Sequence, residues 1–353
     1  MDDNCKKVNL CYLWTVLVSI GLSFLISLTS IGDRIPYVAL IIGDELLLAV
    51  PALIYVLSTR GRRDSYNDMT RSLPAGRLIG LRPLSGATIL LLIVLTWLMT
   101  PLLSLLNTLS LFVTKNQVSS EVMTVLDETP LWLAVIGLAL VPAVVEEFIM
   151  RGVIYYSAYR HVSPLRGAIL TGFLFGLLHM NLNQFVYAFA MGFIFCMVVE
   201  ATDSLLSSML MHLLFNLDSV ILAYAAEKLG GATGKLSSEL ESGMADAATT
   251  NMLVPVAIGL AVAAVVCTIL GYLLYRTIAG INGRGEVIAS MLSRKQKTTW
   301  EASTDSFRFQ DGRNRFDEQN FGSSSRLADP ILYLAMAICI GVIILNQFSI
   351  LFS

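Results

Sequence analysis

Apolar runs of about twenty residues recur along this chain, the length a helix needs to cross the hydrocarbon core of a bilayer. On that basis the sequence offers nine candidate spans, at roughly 10–31, 36–58, 85–111, 131–156, 165–180, 185–200, 204–226, 252–278 and 331–351. Hydrophobic residues make up 55% of the 353 and charged residues 14%, which excludes an ordinary soluble domain. In lipid the backbone must satisfy its own hydrogen bonds, which helices do within a single segment. The expected fold class is therefore all-α, a polytopic membrane bundle of about eight or nine transmembrane helices. The stretch Asn9 to Ile31 is too long for a signal-peptide core and reads as a retained first span.

Positive charge sets the expected orientation. Arg60, Arg62, Arg63, Arg71, Arg77 and Arg82 crowd one loop, while Arg276, Arg284, Arg294, Lys295, Lys297, Arg308, Arg313, Arg315 and Arg326 lie at or within another. Both loops are expected in the cytoplasm, with the N-terminus inside. Lys115 stands among Glu121, Asp127 and Glu128, and Lys228 and Lys235 are outnumbered by Glu227, Glu239, Glu241 and Asp246, as outside loops should be. The chain divides into N-terminal helices with a basic loop (1–130), a core (131–226) and C-terminal helices (227–353) that carry a polar, partly disordered loop at 281–329. Five scattered cysteines with no CxxC pair indicate neither a disulfide framework nor a thiolate zinc site. The net charge of −2 says nothing useful about partners, because in a membrane chain the placement of positive charge is what matters, and no nucleic-acid partner is expected.

The chemistry concentrates in spans four to seven. Glu146, Glu147 and Arg151 interrupt the apolar run from Leu131 to Tyr156, and each ionised group near the bilayer centre costs at least ~2.5 kcal/mol. Glu147 and Arg151, at i and i+4, share a helix face and can pair, while Glu146 points elsewhere. Pro142 cannot donate its backbone bond and is expected to kink the helix just before them. Of three histidines, His161 lies in a short basic connection, whereas His179 and His212 fall inside spans, with Phe175 and Asn216 one turn away from them respectively. Counting about 1.5 Å per residue from the basic ends puts Glu146, His179 and Asn216 roughly 20 Å deep and His212 roughly 13 Å. A lone intramembrane His or Asn often only glues helices together, and a Glu–Arg pair can be purely structural. Four such features on successive spans within one layer suggest a site with solvent access.

In order and spacing, Glu146-Glu147-x-x-x-Arg151, Phe175-x-x-x-His179 and His212-x-x-x-Asn216 resemble the motif set of the CAAX protease and bacteriocin-processing (CPBP, or Abi) family of intramembrane glutamate proteases. The resemblance covers roughly residues 130–226. It implies that Glu146 and His179 activate a water for attack on a peptide carbonyl, that His212 and Asn216 line an oxyanion hole, and that Glu147 and Arg151 orient Glu146. It further implies a peptide or membrane-protein substrate, the lipid bilayer of a bacterial plasma membrane as surroundings, and no metal or other cofactor. It sets neither substrate nor oligomeric state.

Other classes share these residues. One carboxylate with two histidines is also a common catalytic zinc set, although HExxH is missing, and the metal-independent arrangement is preferred on the resemblance. Gly43-Asp44-Glu45 inside span two reads most simply as carboxylates facing a hydrated cavity. With Glu146 and the histidines it could instead form the relay of a proton-coupled transporter, but no inverted repeat accompanies it. A non-catalytic scaffold or bacteriocin-immunity protein would keep the same fold.

Overall fold

The computed structural model describes residues 3–29, 32, 34–59, 75–228, 247–292 and 326–352. Among them it is all-helical, with no strand. In chain order the helices are α1 (Asp3–Leu28), α2 (Tyr37–Thr59), α3 (Ala75–Leu78), α4 (Gly86–Ser110), α5 (Gln117–Glu128), α6 (Leu131–Val162), α7 (Pro164–Leu178), α8 (Leu182–Thr202), α9 (Leu205–Lys228), α10 (Ala247–Ile281), α11 (Gly285–Leu292) and α12 (Pro330–Phe352). Eight of these are long and apolar enough to cross a membrane, and α7 is a shorter apolar helix. Each of the nine expected spans thus corresponds to one helix.

The differences have local causes. Helix α1 begins at Asp3 rather than near residue 10, where Lys7 pairs with Asp3 one turn away and Asn9 docks on the Leu327 carbonyl and Asp329. Helix α8 begins at Leu182, because the Asn181 side chain caps the backbone N–H groups of Asn183 and Gln184. The polar stretch after Ile281 opens with a helix, α11, since Ile288 and Met291 bury themselves completely or nearly so. The amphipathic α5 is too short and too charged to be read as a span. The basic residues Arg60, Arg62, Arg63 and Arg71, the charged residues Lys235, Glu239, Glu241 and Asp246, and the basic residues Arg294, Lys295, Lys297, Arg308, Arg313 and Arg315 lie outside the described residues.

The closest packing joins α7 to α8, and α4 to α10. Between α7 and α8 the backbones approach so closely that only glycine fits. A Cβ on Gly172 would stand 2.7 Å from the Phe193 nitrogen and 2.8 Å from the Phe189 oxygen, and one on Gly176 would stand 2.8 Å from the Phe185 oxygen. Small residues four apart are how helices associate in lipid, where no hydrophobic force draws them together. This contact sets where α7 presents His179, the residue that caps its C-terminus. Gly172→Ala should therefore lower the melting temperature of the detergent-solubilised protein by forcing backbone apart, at a cost of about 1–3 kcal/mol. Gly21→Ala is the control, because a Cβ there meets nothing within 4 Å. Equal melting temperatures for the two variants would show that the α7–α8 contact is not under this constraint.

Candidate active site

Helix α6 carries the charged cluster and is not a plain α-helix. It widens into π-helical segments at Ile136–Leu140 and Phe148–Tyr159, on either side of Val141–Glu147. The first is the structural answer to Pro142, whose missing N–H and bulky ring disturb the turn that precedes it. The sequence pointed to a kink there, and the structure absorbs the proline in a widened turn. The second begins directly after Glu147, so the Glu147–Arg151 pair straddles a change of helical pitch.

That pair is fully enclosed. Arg151 Nη1 donates to Glu147 Oε1 at 2.7 Å, and neither side chain is exposed. The Arg151 guanidinium lies 4.2 Å from the centre of the Phe175 ring and 5.1 Å from that of Phe195, so aromatic faces supply part of what water would. From α9, His212 Nδ1 reaches the same Glu147 oxygen at 2.9 Å. A carboxylate only accepts, so Nδ1 bears the hydrogen of this bond. The ring is thereby turned so that Nε2 faces Glu146 Oε2 at 3.7 Å, beyond direct hydrogen-bond length.

His179 caps the C-terminus of α7 and stays partly open. Its Nδ1 lies 2.8 Å from the Phe175 carbonyl oxygen, which also can only accept. In the neutral ring this leaves a lone pair on Nε2. The chain then turns at Met180, whose φ of 51° is unusual for a side-chain-bearing residue. Asn346 of α12 holds that turn by donating to the Met180 carbonyl at 3.0 Å. Asn216, half-buried one turn beyond His212, makes no side-chain hydrogen bond among the described residues. Likewise, no hydrogen bond or ion pair there joins His179 to Glu146. The structure places His212 against the two glutamates, with His179 and Asn216 bonded to neither. His161 sits exposed at the end of α6, away from this set.

Sequence reasoning did not find the second polar centre. At the far end of α6, Arg160 Nε lies 2.9 Å from Glu200 Oε1, and its Nη1 lies 2.9 Å from Asp203 Oδ1. Arg284 Nη2 joins Glu200 at 2.9 Å, Arg82 pairs with Asp203, and Tyr155 and Tyr156 donate to Glu200 and Asp203 at 3.1 Å each. Burial by itself would raise the Asp203 carboxyl, but Arg160 above all, with Arg284 and Arg82, outweighs it and holds the group below the usual carboxylate range. This clamp ties the α8–α9 turn to α6, to the chain before α4 and to the chain after α10. No charge-spacing rule signals it, because its members come from separate segments.

A polar centre enclosed by the middle helices of a multi-pass, all-helical membrane protein defines the class. Residues 128–217, the segment that builds this centre, match the Rce1-like family, type II CAAX prenyl endopeptidase Rce1-like. The match falls on the CPBP/Abi family that the motifs resemble, a proteolytic family of the CAAX-protease type. No curated protein and no solved structure was found to match the chain.

Proposed function

We propose that residues 131–226 are the catalytic core of an intramembrane endopeptidase. The observation that supports this most is the unequal treatment of two adjacent carboxylates. Glu147 is fully enclosed and bound to Arg151 and His212, while Glu146 keeps 15% of its side chain exposed beside His212 Nε2. One is built into the scaffold and the other is left able to meet a water.

In the proposed reaction a water oxygen bonds to the peptide carbonyl carbon as one of its protons passes to Glu146. The carbonyl π electrons move onto oxygen, and collapse of that tetrahedral intermediate breaks the C–N bond as Glu146 passes the proton it took from water to the departing amine. The free Nε2 lone pair of His179 can accept a hydrogen bond from the same water. Asn216 has an uncommitted amide to donate to the oxyanion. His212 can donate to it only as the imidazolium, with hydrogen on both nitrogens. The substrate in this reading is a peptide or membrane protein presented within a bacterial plasma membrane, with the N-terminus of the chain in the cytoplasm.

Among the described residues no three His, Cys, Asp or Glu side chains gather as a metal-holding group. Reconstituted protein should cleave a membrane-anchored reporter peptide equally before and after chelator treatment. Loss of cleavage that returns with zinc would replace the water-activating role of Glu146 and His179 with metal ligation, and absence of cleavage across a panel of anchored reporters would count against proteolysis itself.

A further inference from the structure

Met180 follows His179 with a φ of 51°, a left-handed backbone in which a β-carbon crowds the following carbonyl. Among the described residues Asp203 is the other non-glycine with positive φ, and its short polar side chain suits that conformation. Methionine has no such means, and its side chain is buried in the core. The turn is therefore set by what surrounds it. The Met180 N–H bonds back to the Leu177 carbonyl at 3.0 Å, and the Met180 carbonyl accepts from Asn346 Nδ2 of α12 at 3.0 Å. The next residue of α12, Gln347, donates to the Val113 carbonyl at 2.8 Å, in the connection after α4. From the start of α8, Asn183 donates to Asn107 Oδ1 and Ser110 Oγ of α4 at 2.8 and 2.6 Å.

What this turn carries is the ring of His179. That ring stands edge-on to Phe175 with centres 4.8 Å apart, and the centre of Phe175 lies 6.0 Å from that of His212, so one aromatic ring adjoins both histidines. With α7 and α8 locked together at Gly172 and Gly176, any relaxation of the Met180 backbone falls on the last turn of α7, where His179 sits. Asn346 is exposed at the surface of α12, and in a bilayer an amide there gains little by leaving the carbonyl. The family match covers residues 128–217, and α12 lies beyond it. We infer that Asn346 is a positioning residue: through this one bond the last span fixes the left-handed turn at Met180, and with it the place of the His179 ring. The catalytic part of this inference rests on the endopeptidase reading; the hold on the turn does not.

Because the chain has three histidines, the hold can be observed without any substrate. Magnetic resonance of the lipid-reconstituted full chain with isotope-labelled histidine should give ring signals for His161, His179 and His212. Asn346→Leu should shift the His179 signal and leave the others in place. Gln347→Leu, on the same turn of α12, should shift none of them. A His179 signal unmoved by Asn346→Leu would overturn the inference. So would a shift shared by all three histidines or produced equally by Gln347→Leu, because loosened packing of α12 would do that. On a reporter peptide, Asn346→Leu should lower kcat about three- to tenfold with KM little changed, the scale of one neutral hydrogen bond. Asn346→Gln keeps an amide donor, and its extra methylene has room at the exposed position, so most of the rate should return. Equal rates for the leucine and glutamine variants would overturn the positioning role. A His179 signal that shifts as expected, together with no cleavage by the wild type, would sink the endopeptidase reading and leave the hold on the turn standing.

Discussion

Glu146→Gln should leave the protein folded while reducing peptide-bond hydrolysis by about 10²–10⁴-fold, the range over which a general base acts. Glutamine keeps the size of the side chain and its contact with the His212 face, but it cannot accept a proton from water at neutral pH. Because Glu146 is only partly buried and forms no direct ion pair shorter than the 3.7 Å approach to His212, its loss should move the melting temperature little. The measurements are cleavage of an anchored reporter in vesicles and the membrane peptide pools of cells expressing wild type or Glu146→Ala. Identical peptide pools, or a glutamine variant as fast as wild type, would remove the proposed base. A transporter or scaffold that keeps this fold would show no such change in peptides.

The length of each apolar run was legible because bilayer thickness dictates it, and nine runs became nine helices without knowledge of any partner. The Glu147–Arg151 pair was legible for a similar reason, since residues four apart on one helix meet regardless of what surrounds them. Contacts between helices depend on rotation and offset, which spacing along the chain does not encode. Glu147 thus acquires His212, 65 positions away, and Arg151 acquires the ring of Phe195, neither of which any local pattern announces. Depth counting put His212, Glu146 and Asn216 near one layer but could not tell which would touch. Arg82 and Arg284 read as loop charges, and nothing along the chain joined them to Arg160, Glu200 and Asp203, because a solvated residue and a clamped one carry the same letters. Glu45 was visible as an anomaly. That α2 lies against α6 was not, because three helices separate them in sequence.

Arg151→Met should cause the largest loss of stability of any single substitution in this centre, about 3–5 kcal/mol, the usual result of leaving one member of a buried ion pair without its counter-charge. Methionine fills much of the volume between Phe175 and Phe195, so the cavity contribution is small and the effect reports the charge. Glu147 would then be a fully enclosed carboxylate with only the His212 Nδ1 bond, and its Oε2 is already without a partner. Thermal unfolding in detergent measures the loss, and an unchanged melting temperature would show that water reaches the pair in spite of its enclosure. Adding Glu147→Gln should restore much of the stability, because the stranded charge goes with it. The same double variant should remain poor at hydrolysis. A neutral amide in place of the Glu147 carboxylate weakens the 2.9 Å hold on His212 Nδ1 that turns Nε2 toward Glu146, so the ring no longer keeps its place beside the proposed water site. A double variant that recovered rate along with stability would instead make Glu147 and Arg151 a structural pair with no hold on the chemistry.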